Sequence, residues 1–245
     1  MVQVTTGSSF MKVAIIQFPG SNCDTDCQAA LASLPGIQAE IVWHKETSLA
    51  GYAAVVLPGG FSYGDYLRCG SIARFSPIMR AVRAVAESGV LVLGICNGFQ
   101  ILCEAGLLPG TLMRNNGLLF RCEHLHLRVE NNDSPFTSVL HQGQVLDIPI
   151  AHGEGNYFAD AETLKQLNMN NQILVRYCDA SGNVSPEANP NGSLENIAGI
   201  CSHGRNVFGL MPHPERVCDP LLGGTDGRSI FQSMIEAVAK LNVKS

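Results

Sequence analysis

The sequence predicts an α/β fold built on a single doubly wound, mostly parallel sheet with flanking helices, and two observations carry that prediction. Apolar runs such as KVAIIQF at 12–18 and the stretch 90–95 show no polar alternation, so strands made from them must be covered on both faces. In the first half of the chain such runs alternate with turns and with segments of helical spacing. Strand, loop and helix in repetition imply right-handed crossovers between parallel strands.

The first strand, 12–18, ends at Pro19-Gly20, and Asp24 reads as the N-cap of a helix that closes near Pro35-Gly36. A second strand follows at 37–43. The run 53–57 breaks sharply at Pro58-Gly59-Gly60, and after a polar loop a helical pattern spans 71–87. Residues 90–95 form the most apolar strand and pass at once into a short helix, 97–105, closed by Gly106. The second half reads differently, with alternating strands around 118–130 and 145–150 and a polar, glycine- and asparagine-rich stretch at 179–196 that reads as a long surface loop. A closing hairpin, 197–202 with 207–211, turns at His203-Gly204-Arg205, and a last helix covers 226–241. Residues 1–10 read as a mobile extension or an alternative start, and 11–245 as one domain.

Composition narrows the classes of function. At 245 residues, 46% hydrophobic and 15% charged, the chain can bury a full core. Its net charge of -5 supplies no basic surface for neutralising phosphates, which argues against nucleic acid and anionic membranes as partners. No apolar run reaches the roughly 20 residues that cross a bilayer, and no signal-peptide pattern opens the chain, so a soluble, cytoplasmic protein is expected. Nine cysteines, an odd number without a CxxC pair and with Cys103 and Cys201 inside apolar runs, argue against a disulfide framework and a metal site.

The strongest chemical signal is Gly94-Ile95-Cys96-Asn97-Gly98-Phe99-Gln100, a cysteine between an apolar strand and a helix start with glycines two residues to either side. That spacing suits a sharp strand-to-helix turn, which strains the central residue and projects its sulfur beyond the sheet. The helix N-terminus behind it favours negative charge. Most cysteines are simply small buried residues, the reading kept for the other eight. A nucleophile needs a proton carrier, and Met211-Pro212-His213-Pro214-Glu215 offers one: each proline extends the residue before it, so His213 and Glu215 project together. A carboxylate beside an imidazole fixes its tautomer, which completes a Cys96, His213, Glu215 triad. His124 and His126 read as one face of a strand, and His44, His141 and His203 as surface loop residues. Pro58-Gly59-Gly60-Phe61 ends another strand, where open α/β sheets place ligands, so Gly60 and the Asn97 N–H are candidates for an oxyanion hole.

These motifs, in this order, resemble the triad-type (class I) glutamine amidotransferases, whose fold is flavodoxin-like. Together with Gln17-Phe18-Pro19-Gly20-Ser21-Asn22, Gly60-Phe61-Ser62-Tyr63-Gly64-Asp65, Ala151-His152-Gly153-Glu154-Gly155 and the Arg216 after Glu215, they are similar to the glutaminase subunits of phosphoribosylformylglycinamidine synthases over residues 11–241. The resemblance implies that Cys96 attacks the glutamine amide, that His213 moves protons and that Glu215 orients it. It further implies that Gly59 and Gln100 help to hold glutamine, while His152 and Glu154 act as supporting or interface residues. The ammonia would serve the conversion of formylglycinamide ribonucleotide to its amidine, on a large synthase subunit bridged by a small third subunit. The chain lacks a GxxxxGK[ST] phosphate loop, so the resemblance assigns ATP and Mg to the partner and no cofactor to this chain. A different triad-type amidotransferase, a γ-glutamyl hydrolase and a catalytically silent subunit are the alternatives.

Overall fold

The computed structural model describes residues 10–242; the extension expected at 1–10 lies, Phe10 apart, outside the described residues. Strand β1 (Met11–Gln17) leads to helix α1 (Asp24–Ala32), and β2 (Ile37–Trp43) and β3 (Ala54–Leu57) follow. Helix α2 (Ile78–Glu87) returns the chain to β4 (Leu91–Ile95), which runs into α3 (Asn97–Glu104). The second half supplies β5 (Thr111–Met113), β6 (Arg121–Val129), β7 (Val145–His152), β8 (Asn156–Phe158), α4 (Ala161–Met169), β9 (Ile173–Cys178), β10 (Ile197–Cys201), β11 (Val207–Leu210) and α5 (Arg228–Asn242).

Nine strands form one sheet in the order β2-β1-β3-β4-β11-β10-β9-β6-β7, and β5 pairs with β8 apart from it. Pairings from β2 to β11 are parallel, and those from β11 to β7 antiparallel. Counting directions along that order, only β10 and β6 run against the rest, so the sheet is mostly parallel as the apolar runs predict. Val13 to Ile16, Ala54 to Leu57 and Leu91 to Leu93 are almost wholly inaccessible, as strands covered on both faces require. The carboxyl ends of β1, β3, β4, β11 and β7 all reach the same edge of the sheet, which is where open α/β folds bind ligands.

Several local expectations need correction. The helix expected at 71–87 is divided: a 3-10 turn, Ala73–Phe75, stops at Ser76, whose ψ of 143° is extended because Pro77 follows, and α2 starts afresh beyond it. Asp24 is not a cap; Cys23 occupies that position, and the buried Asp24 carboxylate instead accepts a hydrogen bond from the Gln17 side chain. Helix α4 and strand β9 have no counterpart in the sequence reading, although Asp160 caps α4 by accepting from Thr163 N at 2.7 Å. The strand expected at 118–130 starts only at Arg121, and Leu118 to Phe120 form part of an exposed loop.

The stretch 179–196 is irregular, but it is not simply a surface loop. Asn191, Ser193 and Asn196 are buried. Asn191 Nδ2 and Ser193 Oγ donate to Gly155 O at 2.8 and 3.1 Å, and Asn196 Nδ2 donates to Tyr177 O at 3.1 Å. Polar composition marks this segment as non-helical, yet its amides serve as interior struts because buried backbone carbonyls need donors. His44 is also buried rather than on a surface loop, with Nδ1 2.9 Å from Tyr63 Oη.

Candidate active site

Cys96 stands between β4 and α3 with φ 50° and ψ -105°, a conformation that costs an L-residue of order 1–3 kcal/mol. Its neighbours show why the surroundings permit it. A Cβ on Gly94 would lie 2.8 Å from Gly98 C and O, and one on Gly98 would lie 2.7 Å from the Leu57 carbonyl carbon. Both glycines are therefore required by backbone crossing backbone, and the elbow exists because α3 packs directly on the end of β3. The Cys96 N–H donates to Leu210 O at 2.8 Å, tying the elbow to β11, and Sγ lies 3.7 Å from Ala151 O at the end of β7.

β11 ends beside β4, with Leu210 in register with Ile95, so the chain beyond it delivers Met211-Pro212-His213 to the same edge. His213 is buried and held through its own N–H, 2.8 Å from Pro149 O. His213 Nδ1 donates to Glu215 Oε1 at 2.6 Å. Burial alone would push the His213 imidazolium towards its neutral form, but the Glu215 carboxylate and then the Cys96 sulfur outweigh it and hold the pKa well above the ordinary histidine value. Among the described residues, neither Nε2 nor Glu215 Oε2 has a hydrogen-bond partner.

A cleft of about 240 Å³ opens here, lined among others by Gly60, Cys96, Gln100, Phe120, His152 and Glu154. Gly60 (φ 149°) packs against Gly20 and Ser21 too closely for any side chain. As the first residue of α3, Asn97 has a backbone N–H with no intrahelical acceptor, which suits it to an oxyanion. Its side chain braces the site: Oδ1 accepts from Ser62 N at 3.2 Å, and Nδ2 donates to Gln100 Oε1 at 2.9 Å.

The structure separates the residues expected to hold glutamine. Gln100 lines the cleft, but both ends of its amide are engaged, since Nε2 donates to Glu154 O at 2.6 Å. Gly59 is not among the cleft-lining residues; it lies behind His213, where a Cβ would come within 2.7 Å of Cε1. Glu154 faces Arg114 at 3.5 Å and accepts from Cys69 N at 3.4 Å. His152 is buried, and its tautomer follows from Asn115. That amide donates from Nδ2 to Leu119 O and His152 O, each at 2.9 Å, so Oδ1 is its acceptor and His152 Nδ1, 3.2 Å away, must carry the proton. Burial, then the charge of His213, depresses the His152 pKa to about 3, so the ring is neutral.

The chain matches the CobB/CobQ-like glutamine amidotransferase domain family over residues 10–225. A relative from Moorella thermoacetica, phosphoribosylformylglycinamidine synthase subunit PurQ, is 60% identical over 226 residues, 92% of this chain and 96% of that one. The chain belongs to the PurQ family. Another PurQ, from Acaryochloris marina, is 56% identical over 93% of this chain and 97% of its own. Among solved structures, PurLQS from Thermotoga maritima contains a chain that superposes with a TM-score of 0.81 at 42% identity, covering 92% of this chain and 97% of that one.

Several residues of the site escaped the sequence reading. Arg114 and Phe120 reach the cleft from loops that no local pattern announces, whereas Asp65 and Ala151, at the end of β7, line it from within quoted motifs without having been singled out. Cys23 and Arg216, by contrast, sit within or beside quoted motifs. Cys23, His213 and Glu215 bring donor atoms within 4.8 Å of one another, a spacing suited to a metal ion, but Arg216 Nη2 lies 3.2 Å from Cys23 Sγ and opposes a cation there.

Proposed function

We propose that this PurQ-family chain is the glutaminase subunit of a phosphoribosylformylglycinamidine synthase, releasing ammonia from glutamine for a synthase partner. The observation that carries the chemical part is the strained Cys96 elbow sharing one pocketed edge with the buried His213–Glu215 pair. Cys96 sulfur attacks the side-chain carbonyl carbon of glutamine, and the oxygen takes up negative charge facing the Gly60 and Asn97 N–H groups. His213 Nε2 takes the proton of the attacking Cys96 thiol and gives it to the departing nitrogen, so ammonia leaves and a glutamyl thioester remains. His213 Nε2 then takes a proton from water, which attacks the thioester, and returns it to the leaving sulfur, releasing glutamate and restoring the thiol. Glu215 accepts from Nδ1 throughout and stabilises each imidazolium.

The ammonia passes to the large subunit, which uses ATP and Mg to convert formylglycinamide ribonucleotide to formylglycinamidine ribonucleotide, with a small bridging subunit in the assembly. The PurLQS neighbour supports that partnership, as does an exposed apolar rim of Phe61, Tyr66, Leu67, Leu118, Leu119 and Phe120 on loops flanking the cleft. Among the described residues no helix is long and apolar enough to cross a membrane, and a cytoplasmic location, which suits a purine-synthesis role, is part of the same reading.

The test is Cys96→Ala in the assembled complex. Glutamine-dependent synthesis is lost and ammonia-dependent synthesis persists. Loss of both would refute the division of labour.

A further inference from the structure

Behind the His213–Glu215 pair lies a second thiol that the mechanism does not use. Cys23, the residue preceding α1, is 1% exposed; its sulfur lies within 4.8 Å of the His213 and Glu215 donor atoms, and Gly59 packs beside both, since a Cβ there would sit 3.1 Å from Cys23 Sγ and 2.7 Å from His213 Cε1. The thiol is engaged on both sides. Its hydrogen points to Asn22 Oδ1 at 3.2 Å, and its sulfur accepts from Arg216 Nη2 at 3.2 Å. Arg216 is adjacent in sequence to Glu215, whose Oε2 is buried and has no hydrogen-bond partner among the described residues. A guanidinium on the residue next to a bare carboxylate oxygen would ordinarily be drawn to it, because charge-assisted pairs are stronger than a hydrogen bond to sulfur.

We propose that Cys23 is a positioning residue that parks the Arg216 guanidinium on its sulfur, keeping it off Glu215 so that the carboxylate stays committed to His213. The inference rests on the catalytic reading of Cys96 and His213. Without the sulfur, Arg216 gains both room and motive to pair with Glu215 Oε2. The carboxylate is then shared, and the imidazolium loses part of the stabilisation that offsets its burial. The folded pKa of His213, raised by Glu215, falls. Activity that needs the imidazolium therefore disappears at lower pH than before.

The experiment is the pH profile of kcat/KM for glutamine in the assembled complex, with ammonia-dependent synthesis as a control that bypasses the triad. Cys23→Ala is expected to move the alkaline limb down by about one unit and to lower kcat/KM at pH 8 on the order of tenfold. Cys23→Ser, whose hydroxyl can hold Arg216, keeps the limb near its wild-type position. Cys23→Ala combined with Arg216→Met restores it, because no guanidinium is left to migrate. If Cys23→Ala does not fold, Cys23→Val fills the space without offering an acceptor and carries the same expectation. An unmoved limb in Cys23→Ala or Cys23→Val, or a double variant no better than the single one, overturns the proposal. Cys96→Ala in the same series separates the two readings: if that variant still hydrolyses glutamine, the catalytic reading fails first, whereas a dead Cys96→Ala beside an unmoved Cys23→Ala limb refutes only the role of Cys23.

Discussion

Replacing Gly98 by alanine tests whether the elbow is held by backbone contact. The added Cβ would lie 2.7 Å from the Leu57 carbonyl carbon, closer still to its oxygen, and 2.9 Å from Leu57 Cβ. Carbon atoms rest at about 3.5–4.0 Å, so α3 must retreat from β3 by about 1 Å. No flexible side chain can give way, because the main obstacle is the backbone of a central, fully buried strand. Overpacking of this kind costs about 1–3 kcal/mol or more, and a misplacement of about 1 Å at reacting groups costs about 10²-fold in rate. Both Cys96 and the Asn97 N–H ride on the displaced segment. The control is Gly106→Ala at the end of the same helix, where φ is 67° but nothing lies within 4 Å, so only the left-handed backbone is penalised, by about 1 kcal/mol. Urea unfolding and glutamate release by the assembled complex, corrected for folded fraction, read the two effects. If Gly98→Ala is no less stable than Gly106→Ala and turns over within a few-fold of wild type, the packing argument for the elbow is wrong.

Other expectations follow from the same geometry. His213→Ala should lower glutamine turnover by about 10²–10⁴-fold, and Glu215→Gln by clearly less, since it disturbs orientation and charge but leaves the proton carrier; equal losses in steady-state kinetics would contradict those roles. His152 is buried neutral with its pKa lowered from 6.5 to about 3, so the unfolded chain binds the extra proton in that window and stability falls as pH drops through it. The His152→Asn variant should therefore show a shallower loss of stability between pH 6 and pH 4, by up to about 1.4 kcal/mol per unit, and an unchanged slope in denaturant titrations would argue against the buried neutral ring. Asn191→Ala removes the 2.8 Å bond to Gly155 O and should cost about 1–3 kcal/mol while raising KM for glutamine, because the strut supports the segment carrying His152 and Glu154. Unchanged thermal unfolding and KM would show that the strut is dispensable.

Much of this protein is written locally. Continuous apolar runs report burial on both faces, so β1, β3 and β4 and the parallel half of the sheet could be read without coordinates. The elbow was legible because its glycines are spaced by the geometry of one turn; the His213–Glu215 pairing was legible as well, but it is made by a 3-10 turn, Pro214–Val217, that brings Glu215 to the ring, and not by the extended chain expected there. What the tertiary structure alone decided depends on groups far apart in sequence. The 179–196 stretch looked like solvent-facing loop, yet Asn191, Ser193 and Asn196 are buried, because the carbonyls they satisfy come from elsewhere in the chain. Gly59 packs against the His213 ring, and both ends of the Gln100 amide bond within the protein, to Asn97 and to the Glu154 carbonyl. Cys23 and Arg216 stand 193 residues apart and meet only when β1 and β11 deliver their ends to one edge of the sheet. A sequence shows which residues can do chemistry and where the chain must turn; which neighbour satisfies each buried polar group is settled only when the sheet closes its long-range pairings.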